Sequence, residues 1–306
     1  MKGLTTFLWL ISFSESVLSV DTTKIGSQNS SPMVEHTRKH ARIPPNELPG
    51  IKLAVTNVLP KSVEIFIPQR SMQQSTFDLL IHFLGANYIV QNAADAYNGH
   101  LVAAMVNLGS GSKVFNDAFV DSNKFPLLVD SIRAAVTTAF RHEITFKKVL
   151  LSGFSAGYGA IRRIMSSAEN YRRVDAVLLL DGIHAGYVPE GKTLAEGGTI
   201  DSVDLALYSK LAADASSSES SKRFLISHSE IFPGTYVSTT EAADYLLAKI
   251  ALARTPILQW GPLGMQQLSE AKKNHFAVQG FAGNTAPDHV DHLHALPNFL
   301  KLLSQL

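Results

Sequence analysis

The sequence predicts an α/β fold in which a mostly parallel, doubly wound sheet carries helices on both faces. Short apolar stretches alternate along the chain with stretches of helical periodicity, and uninterrupted apolar strands separated by helices are typical of a parallel sheet buried on both faces. Polar residues able to do chemistry follow several of these stretches. In such sheets ligands bind at the carboxyl ends of the strands, so the same pattern predicts an active site there.

The strands are predicted from apolar runs that end at glycine, proline or a polar residue. Val63, Ile65 and Ile67 alternate with other residues and stop at Pro68, which favours an outer strand because proline cannot donate a ladder hydrogen bond. The other predicted strands are buried runs over residues 78–83, 101–108, 149–151, 176–180, 223–226 and 276–281.

The helices are predicted from apolar residues at helical spacing and from start signals. Ser238 and Glu241 form a capping box that opens a helix running to about residue 252. A terminal helix is lined by leucines, and Pro297 is expected to bend it. The remaining predicted helices cover residues 121–140, 160–165 and 202–213.

The chain is expected to divide into a leader, a lead-in and one folded domain. Residues 1–20 have a charged start, an apolar stretch and small polar residues. This pattern predicts a signal peptide and a secreted or periplasmic protein, the alternative being a frayed tail. Residues 21–55 have no apolar period and predict a flexible lead-in, and residues 56–306 form the domain. Within it, the glycine-rich stretch 183–221 predicts a small insertion over the strand ends, a candidate lid.

Composition excludes several classes of function. The formal net charge is +1 and the isoelectric point is near 8.0, so no general field attracts nucleic acid or an acidic membrane surface. No apolar stretch is long enough to span a membrane. The chain contains no cysteine, which excludes disulfides, a thiol nucleophile and cysteine-bound metal. Composition leaves the oligomeric state open.

The segment 147–160 carries the strongest signal for catalysis. The buried run 149–151 leads into Gly153-x-Ser155-x-Gly157, and helical spacing resumes at once. Strand, sharp turn and helix in that order are the context in which this motif is a nucleophile elbow, with Ser155 as the nucleophile. The glycines meet the steric demand of the turn, and the helix directs free N–H groups toward an oxyanion. The alternative is a structural turn with an incidental serine.

A serine nucleophile needs a histidine base and an acid that orients it. His289, after the last predicted strand, is expected in a loop before the terminal helix and is the first choice of base, with His292 second. Asp181 ends one buried run and is the first choice of acid, and Glu230, after the next run, is the alternative. His184 follows Asp181 closely and is a candidate for lining the pocket.

An acyl-transfer site also needs two backbone donors for the oxyanion. The N–H of Ala156 follows the nucleophile, and the N–H of Ala86 follows the predicted strand 78–83. Gly85 permits a close approach of the backbone at that point. The alternative is a glycine that only ends a strand.

Three motifs together resemble the α/β-hydrolase superfamily over residues 60–306. They are the elbow around Ser155, Leu84-Gly85-Ala86 at a strand end, and His289-x-x-His292-Leu293. The resemblance implies an α/β-hydrolase fold with an eight-stranded, mostly parallel sheet, a serine triad and no cofactor. It also implies a histidine before Gly85, where this chain has Leu84, and an acid that commonly lies where Glu230 does.

The favoured hypothesis is a serine hydrolase that cleaves a small-molecule carboxylic ester through an acyl-enzyme on Ser155, without a metal. A peptidase, thioesterase or acyltransferase would use the same triad. A second hypothesis is a metal-dependent hydrolase; its ligands would be Asp288, His289, Asp291, His292 and His294. A third is a binding protein that keeps the fold without the reaction.

Overall fold

The apolar stretches of the sequence become neighbouring strands of one sheet. A computed structural model describes residues 39–306. In chain order the strands are β1 (Gly50–Val55), β2 (Val63–Pro68), β3 (Thr76–Phe83), β4 (Leu101–Val106), β5 (Thr145–Phe154), β6 (Ala176–Leu180), β7 (Tyr187–Val188), β8 (Thr199–Ile200), β9 (Arg223–His228), β10 (Thr255–Trp260), β11 (Gln266–Lys273) and β12 (Phe276–Phe281). Strands β7 and β8 form a small separate pair.

The main sheet has the order β1-β2-β4-β3-β5-β6-β9-β12-β11-β10. The central strands, from β4 to β12 in this order, pair in parallel. At one edge β2 pairs antiparallel with β4 and with β1, and at the other edge β11 pairs antiparallel with β12 and with β10. The predicted mostly parallel sheet is therefore confirmed. The count of eight strands is wrong, because the β10–β11 hairpin adds two. Both of these strands are largely exposed or partly exposed, so neither shows the apolar run that marks a buried strand.

Helices cover both faces of the sheet, as predicted. They are α1 (Asn87–Ala96), α2 (Ser112–Asp117), α3 (Lys124–Phe140), α4 (Tyr158–Met165), α5 (Ala168–Arg173), α6 (Ser202–Ala215), α7 (Thr239–Lys249), α8 (Ala286–His294) and α9 (Leu296–Gln305). Two apolar cores result, one on each face. Helices α3, α4, α6 and α7 contribute to the first, and α1 and α9 to the second. Successive residues of β3 alternate between them: Leu79 and Ile81 belong to one and Leu80 to the other.

The domain begins earlier than predicted. Gly50–Val55 was expected in the flexible lead-in but forms β1, which pairs along its length with β2. Ile51, Leu53 and Val55 pack on one core, and this contact explains the order of the segment. Strand β2 is consequently second from the edge rather than outermost. The predicted signal peptide and lead-in residues 21–38 lie outside the described residues.

The predicted insertion 183–221 contains a helix of the main body. In α6, Leu205 and Tyr208 are fully buried, and the Tyr208 ring stacks on Phe224 of β9. The helix therefore belongs to the layer that covers the sheet and is not part of a lid. Only residues 183–201, with the small β7–β8 pair, remain as an insertion.

The single terminal helix predicted from the leucine spacing is two helices. Helix α8 ends at His294, and α9 starts at Leu296 with Pro297 in its first turn, a position that proline tolerates. His289 therefore lies inside α8 rather than in a preceding loop. His292 and His294 occupy the last turn of α8. No helix within residues 39–306 has the length and apolar character needed to cross a bilayer.

Candidate active site

Ser155 stands at a sharp turn between β5 and α4. Its φ is +48°, a left-handed conformation that is strained for a residue with a side chain. The turn is tight because Gly157 has no Cβ: one placed there would lie 2.9 Å from the carbonyl carbon of Phe83, at the end of β3. Likewise, a Cβ on Gly153 would lie 2.9 Å from the carbonyl carbon of Gly157. This is the geometry of a nucleophile elbow.

Asp181 lies at the end of β6, the strand next to β5. It is 3% exposed, and its carboxylate accepts three hydrogen bonds. Ser229 donates from its backbone N–H at 2.9 Å and from its hydroxyl at 2.6 Å, and His289 donates from Nδ1 at 2.7 Å. Burial opposes ionisation of Asp181. The nearby rings of His292 and His289 and the hydrogen bonds from His289 and Ser229 outweigh it and hold the carboxyl pKa below its usual range.

His289 is oriented by Asp181 and by Phe154. With Nδ1–H donating to the carboxylate, the neutral ring carries its lone pair on Nε2, the nitrogen that a general base requires. The ring packs on that of Phe154 with centroids 4.5 Å apart, and Phe154 directly precedes Ser155. The side chain is 25% exposed, so the imidazole is accessible as well as fixed.

Asp181 and His289 contact each other directly. Ser155 is placed near them by contacts that its neighbouring residues make. Phe154 of β5 pairs in register with Leu180 of β6, so the residues after these strands emerge side by side. Gly182 makes this approach possible, because a Cβ there would lie 2.7 Å from the Cα of Ser155. Ser155 and Asp181 therefore lie at the carboxyl ends of two adjacent parallel strands, and His289 of α8 contacts Asp181 there.

The alternative acid and base are engaged elsewhere. The Glu230 N–H donates to the Gly283 carbonyl at 2.8 Å, and its carboxylate accepts the Gly283 N–H at 3.1 Å. These contacts tie the loops after β9 and β12 together. His292 is 1% exposed, and its Nδ1 is hydrogen bonded to Ser227 Oγ at 2.9 Å. Such a buried ring cannot exchange a proton with a substrate.

The five predicted metal ligands do not converge on one point. His289 and His292 are directed to Asp181 and Ser227, and His294 Nδ1 accepts the Ile43 N–H at 3.1 Å. Within residues 39–306, His40, Asp288 and Asp291 do place potential ligand atoms within 4.8 Å of one another. Asp291, however, is paired with His40 and Arg42, and Asp288 caps the start of α8. The geometry gives no support to a metal-dependent hydrolase built on the predicted set.

The predicted oxyanion loop lies between β3 and α1 and is stiffened by two residues that the sequence analysis missed. Asn107 holds Gly85 by both its groups, accepting the Gly85 N–H at 3.1 Å and donating to the Gly85 carbonyl at 2.8 Å. His82 is fully buried and donates from Nε2 to the Leu84 carbonyl at 3.1 Å. Burial lowers the pKa of His82 to about 4, so the ring is neutral. Ala86 lies at the N-cap of α1.

A pocket of about 500 Å³ opens beside the elbow. Ser155 and Ala156 line it, together with His184, as the sequence suggested. The His184 Nδ1–H donates to the Val237 carbonyl at 3.0 Å, and burial lowers the pKa of this ring. Ser229 and Asn107 could not be assigned from the sequence, because each acts through a partner far away along the chain. His82 bonds to the nearby Leu84 carbonyl, but nothing in its local sequence marks this role.

In this chain a serine at a sharp strand–helix turn is followed by an acid and then by a histidine, and the acid and the histidine contact each other. The β3–α1 loop lies against the same turn. This order and arrangement are those of the α/β-hydrolase architecture. The chain has the α/β-hydrolase fold. No protein-family model matches the sequence, and no curated protein matches it.

The solved structures that this chain resembles are distant from it in sequence. The enterobactin esterase Fes from Shigella flexneri, solved with 2,3-dihydroxy-N-benzoyl-glycine, is 13% identical and has a TM-score of 0.49. The match covers 85% of this chain but only 60% of the esterase. A haloalkane dehalogenase loop variant from Bradyrhizobium elkanii is 13% identical, with a TM-score of 0.45 and coverage of 83% of this chain and 96% of that one.

Proposed function

We propose that the protein is a serine hydrolase that cleaves a carboxylic ester through an acyl-enzyme on Ser155. The observation that carries the proposal is the hydrogen bond of 2.7 Å between His289 Nδ1 and the buried Asp181 carboxylate, beside a serine in left-handed conformation. Catalysis needs this combination because a serine hydroxyl becomes a strong nucleophile only when an oriented base removes its proton.

In the first half-reaction Ser155 Oγ attacks the ester carbonyl carbon while its proton passes to His289 Nε2. The tetrahedral intermediate collapses, the bond from the carbonyl carbon to the alcohol oxygen breaks, and His289 gives the proton to the leaving alcohol. In the second half-reaction His289 takes a proton from water, whose oxygen attacks the acyl-enzyme. Collapse then releases the acid and returns the proton to Ser155. Asp181 stays ionised throughout and stabilises the imidazolium.

The oxyanion of each tetrahedral intermediate is assigned to the backbone N–H groups of Ala156 and Ala86. Such donors each contribute about 3–4 kcal/mol to transition-state stabilisation when they are fixed before the reaction. The bonds from Asn107 to Gly85 and from His82 to Leu84 support this assignment, because they hold the loop before Ala86 in one conformation.

The direct test is Ser155→Ala, assayed on p-nitrophenyl acetate. Loss of the nucleophile is expected to reduce kcat by about 10⁵ to 10⁶-fold and to abolish labelling by a fluorophosphonate probe. Ser166→Ala is the matched control, because the Ser166 hydroxyl lies at the surface and donates to the nearby Arg163 carbonyl. The proposal would be rejected if Ser155→Ala hydrolysed the ester at the wild-type rate, or if the probe formed its adduct on a different serine. Parallel assays on amide and thioester substrates define the bond class.

A further inference from the structure

The pocket beside Ser155 is lined without large aliphatic side chains. Of the fourteen described residues that line it, none is leucine, isoleucine, valine, methionine or phenylalanine. Pockets for apolar ligands are lined mainly by such residues, with few polar groups. A long acyl chain would therefore find little aliphatic surface here and would cover charged groups at a cost in desolvation.

One wall of the pocket is a row of aromatic rings. Tyr158 packs edge-on against His184, with centroids 5.5 Å apart, and His184 packs in the same way against Tyr236, at 4.8 Å. His184 Nδ1–H is used by the Val237 carbonyl, so Nε2 of the neutral ring is a hydrogen-bond acceptor. The wall thus combines ring surface with a hydrogen-bond acceptor on His184.

The remaining lining side chains include an ion pair with unused hydrogen-bonding capacity. Arg162 Nη1 donates to Asp204 Oδ1 at 2.9 Å, and Asp204 Oδ2 accepts the Gly186 N–H at 2.9 Å. A guanidinium has five N–H donors and a carboxylate about four acceptor positions, so both groups can bond further. Glu190 adds a second carboxylate to the lining. These three side chains carry one positive and two negative charges, which disfavours an anionic ligand.

We propose that this pocket binds a neutral, hydroxyl-rich group of the ester, of the kind that a sugar provides. A hydroxyl both donates and accepts, and so it matches donors on Arg162 and acceptors on Asp204 and His184 in one site. The C–H face of such a ring would pack on the tyrosines. The proposal rests on the proposed hydrolase function, since it concerns the substrate of the same serine.

The test compares two primary alkyl acetates, glucose 6-acetate and hexyl acetate, whose scissile bonds are of the same type. A site built around hydroxyl groups discriminates strongly against an analogue that lacks them, so kcat/KM is expected to be at least about 100-fold higher for glucose 6-acetate. Asp204→Asn is expected to reduce this ratio by about tenfold, and Glu190→Gln, at an exposed position, also lowers it. Asp130→Asn, in a surface Asp–Arg pair of α3, is the matched control and keeps the ratio.

Equal or better turnover of hexyl acetate, or of benzyl acetate as an aromatic comparison, would overturn the proposal. Calorimetric binding of glucose 6-acetate to Ser155→Ala separates it from the hydrolase function. If the Ser155→Ala variant binds glucose 6-acetate but the wild type hydrolyses no ester, the hydrolase function is rejected and the pocket assignment is retained. Hydrolysis of p-nitrophenyl acetate with no binding of glucose 6-acetate would remove the pocket assignment alone.

Discussion

Ser229 provides two of the three hydrogen bonds that hold the Asp181 carboxylate. Its backbone N–H and its hydroxyl each donate to one oxygen, at 2.9 and 2.6 Å, and its hydroxyl oxygen also accepts the Ile231 N–H at 3.3 Å. Asp181 is almost fully buried, so each lost donor leaves part of a charge without compensation. We assign Ser229 as a positioning residue that keeps the acid ionised and fixed for His289.

Ser229→Ala is expected to lower kcat on p-nitrophenyl acetate by about tenfold, because a hydrogen bond to a charged group contributes about 1.5–3 kcal/mol. KM is expected to stay within about twofold, since Ser229 does not line the pocket. Ser229→Thr keeps a hydroxyl and is expected to restore most of the rate. An unchanged kcat in the alanine variant, or no rescue by threonine, would contradict this role.

Helix α8, which carries His289, is held by the chain segment just before β1. On this segment His40 Nδ1 and Arg42 Nε bond to the two oxygens of Asp291, at 2.5 and 3.0 Å. Arg42 Nη2 also donates to the Pro287 carbonyl at 2.9 Å. The Asp291 side chain is 1% exposed, so these partners offset the desolvation of a buried charge. The position of α8 thus depends on residues about 250 positions earlier in the chain.

Arg42→Met is expected to lower the free energy of unfolding by about 2 kcal/mol. This is less than for a pair buried on both sides, because Arg42 is partly exposed and His40 remains. Urea denaturation measures the change. Arg133→Met, which breaks an exposed pair on α3, serves as control and is expected to change stability by less than about 0.5 kcal/mol. Equal effects of the two substitutions would show that the contact with α8 does not stabilise the protein.

At the scale of the whole molecule, buried imidazoles, His82 and His228 among them, make stability sensitive to acid. Burial lowers the pKa of His82 to about 4 and, together with the nearby Arg254 charge, lowers that of His228 to about 4. Both histidines have an ordinary value near 6.5 when unfolded. The unfolded chain therefore binds more protons than the native one between about pH 6.5 and 4, and stability must fall as pH decreases through that window.

The free energy of unfolding is expected to decrease by about 2 kcal/mol per histidine between pH 7 and pH 5. Urea denaturation at the two pH values measures this difference. His82→Gln and His228→Gln are each expected to reduce the pH-dependent loss by about 2 kcal/mol, whatever their effect on stability at pH 7. Retention of the full loss in both variants would contradict the assignment.

The central strands and the elbow were predictable because their causes are local. An apolar run such as Ala176–Leu180 marks a buried strand by itself, and the strand observed has the predicted bounds. Strands β10 and β11 were not predictable, because β10 is largely exposed, most of β11 is exposed or half-buried, and neither carries an apolar period. Helix α6 was recognised as a helix, but its place in the core depends on contacts such as Tyr208 with Phe224.

The sequence alone determined the position of the proposed nucleophile. Gly153, Ser155 and Gly157 follow a strand and precede a helix, and steric limits on the turn act among neighbouring residues. Tertiary structure decided which acid and which histidine face each other. His289 and His292 lie only about 4.5 Å apart along the helix axis. The His289 ring is nevertheless partly exposed and hydrogen bonded to Asp181, whereas the His292 ring is buried and hydrogen bonded to Ser227. Strand order and the docking of α8 set that difference, and both arise from contacts between distant parts of the chain.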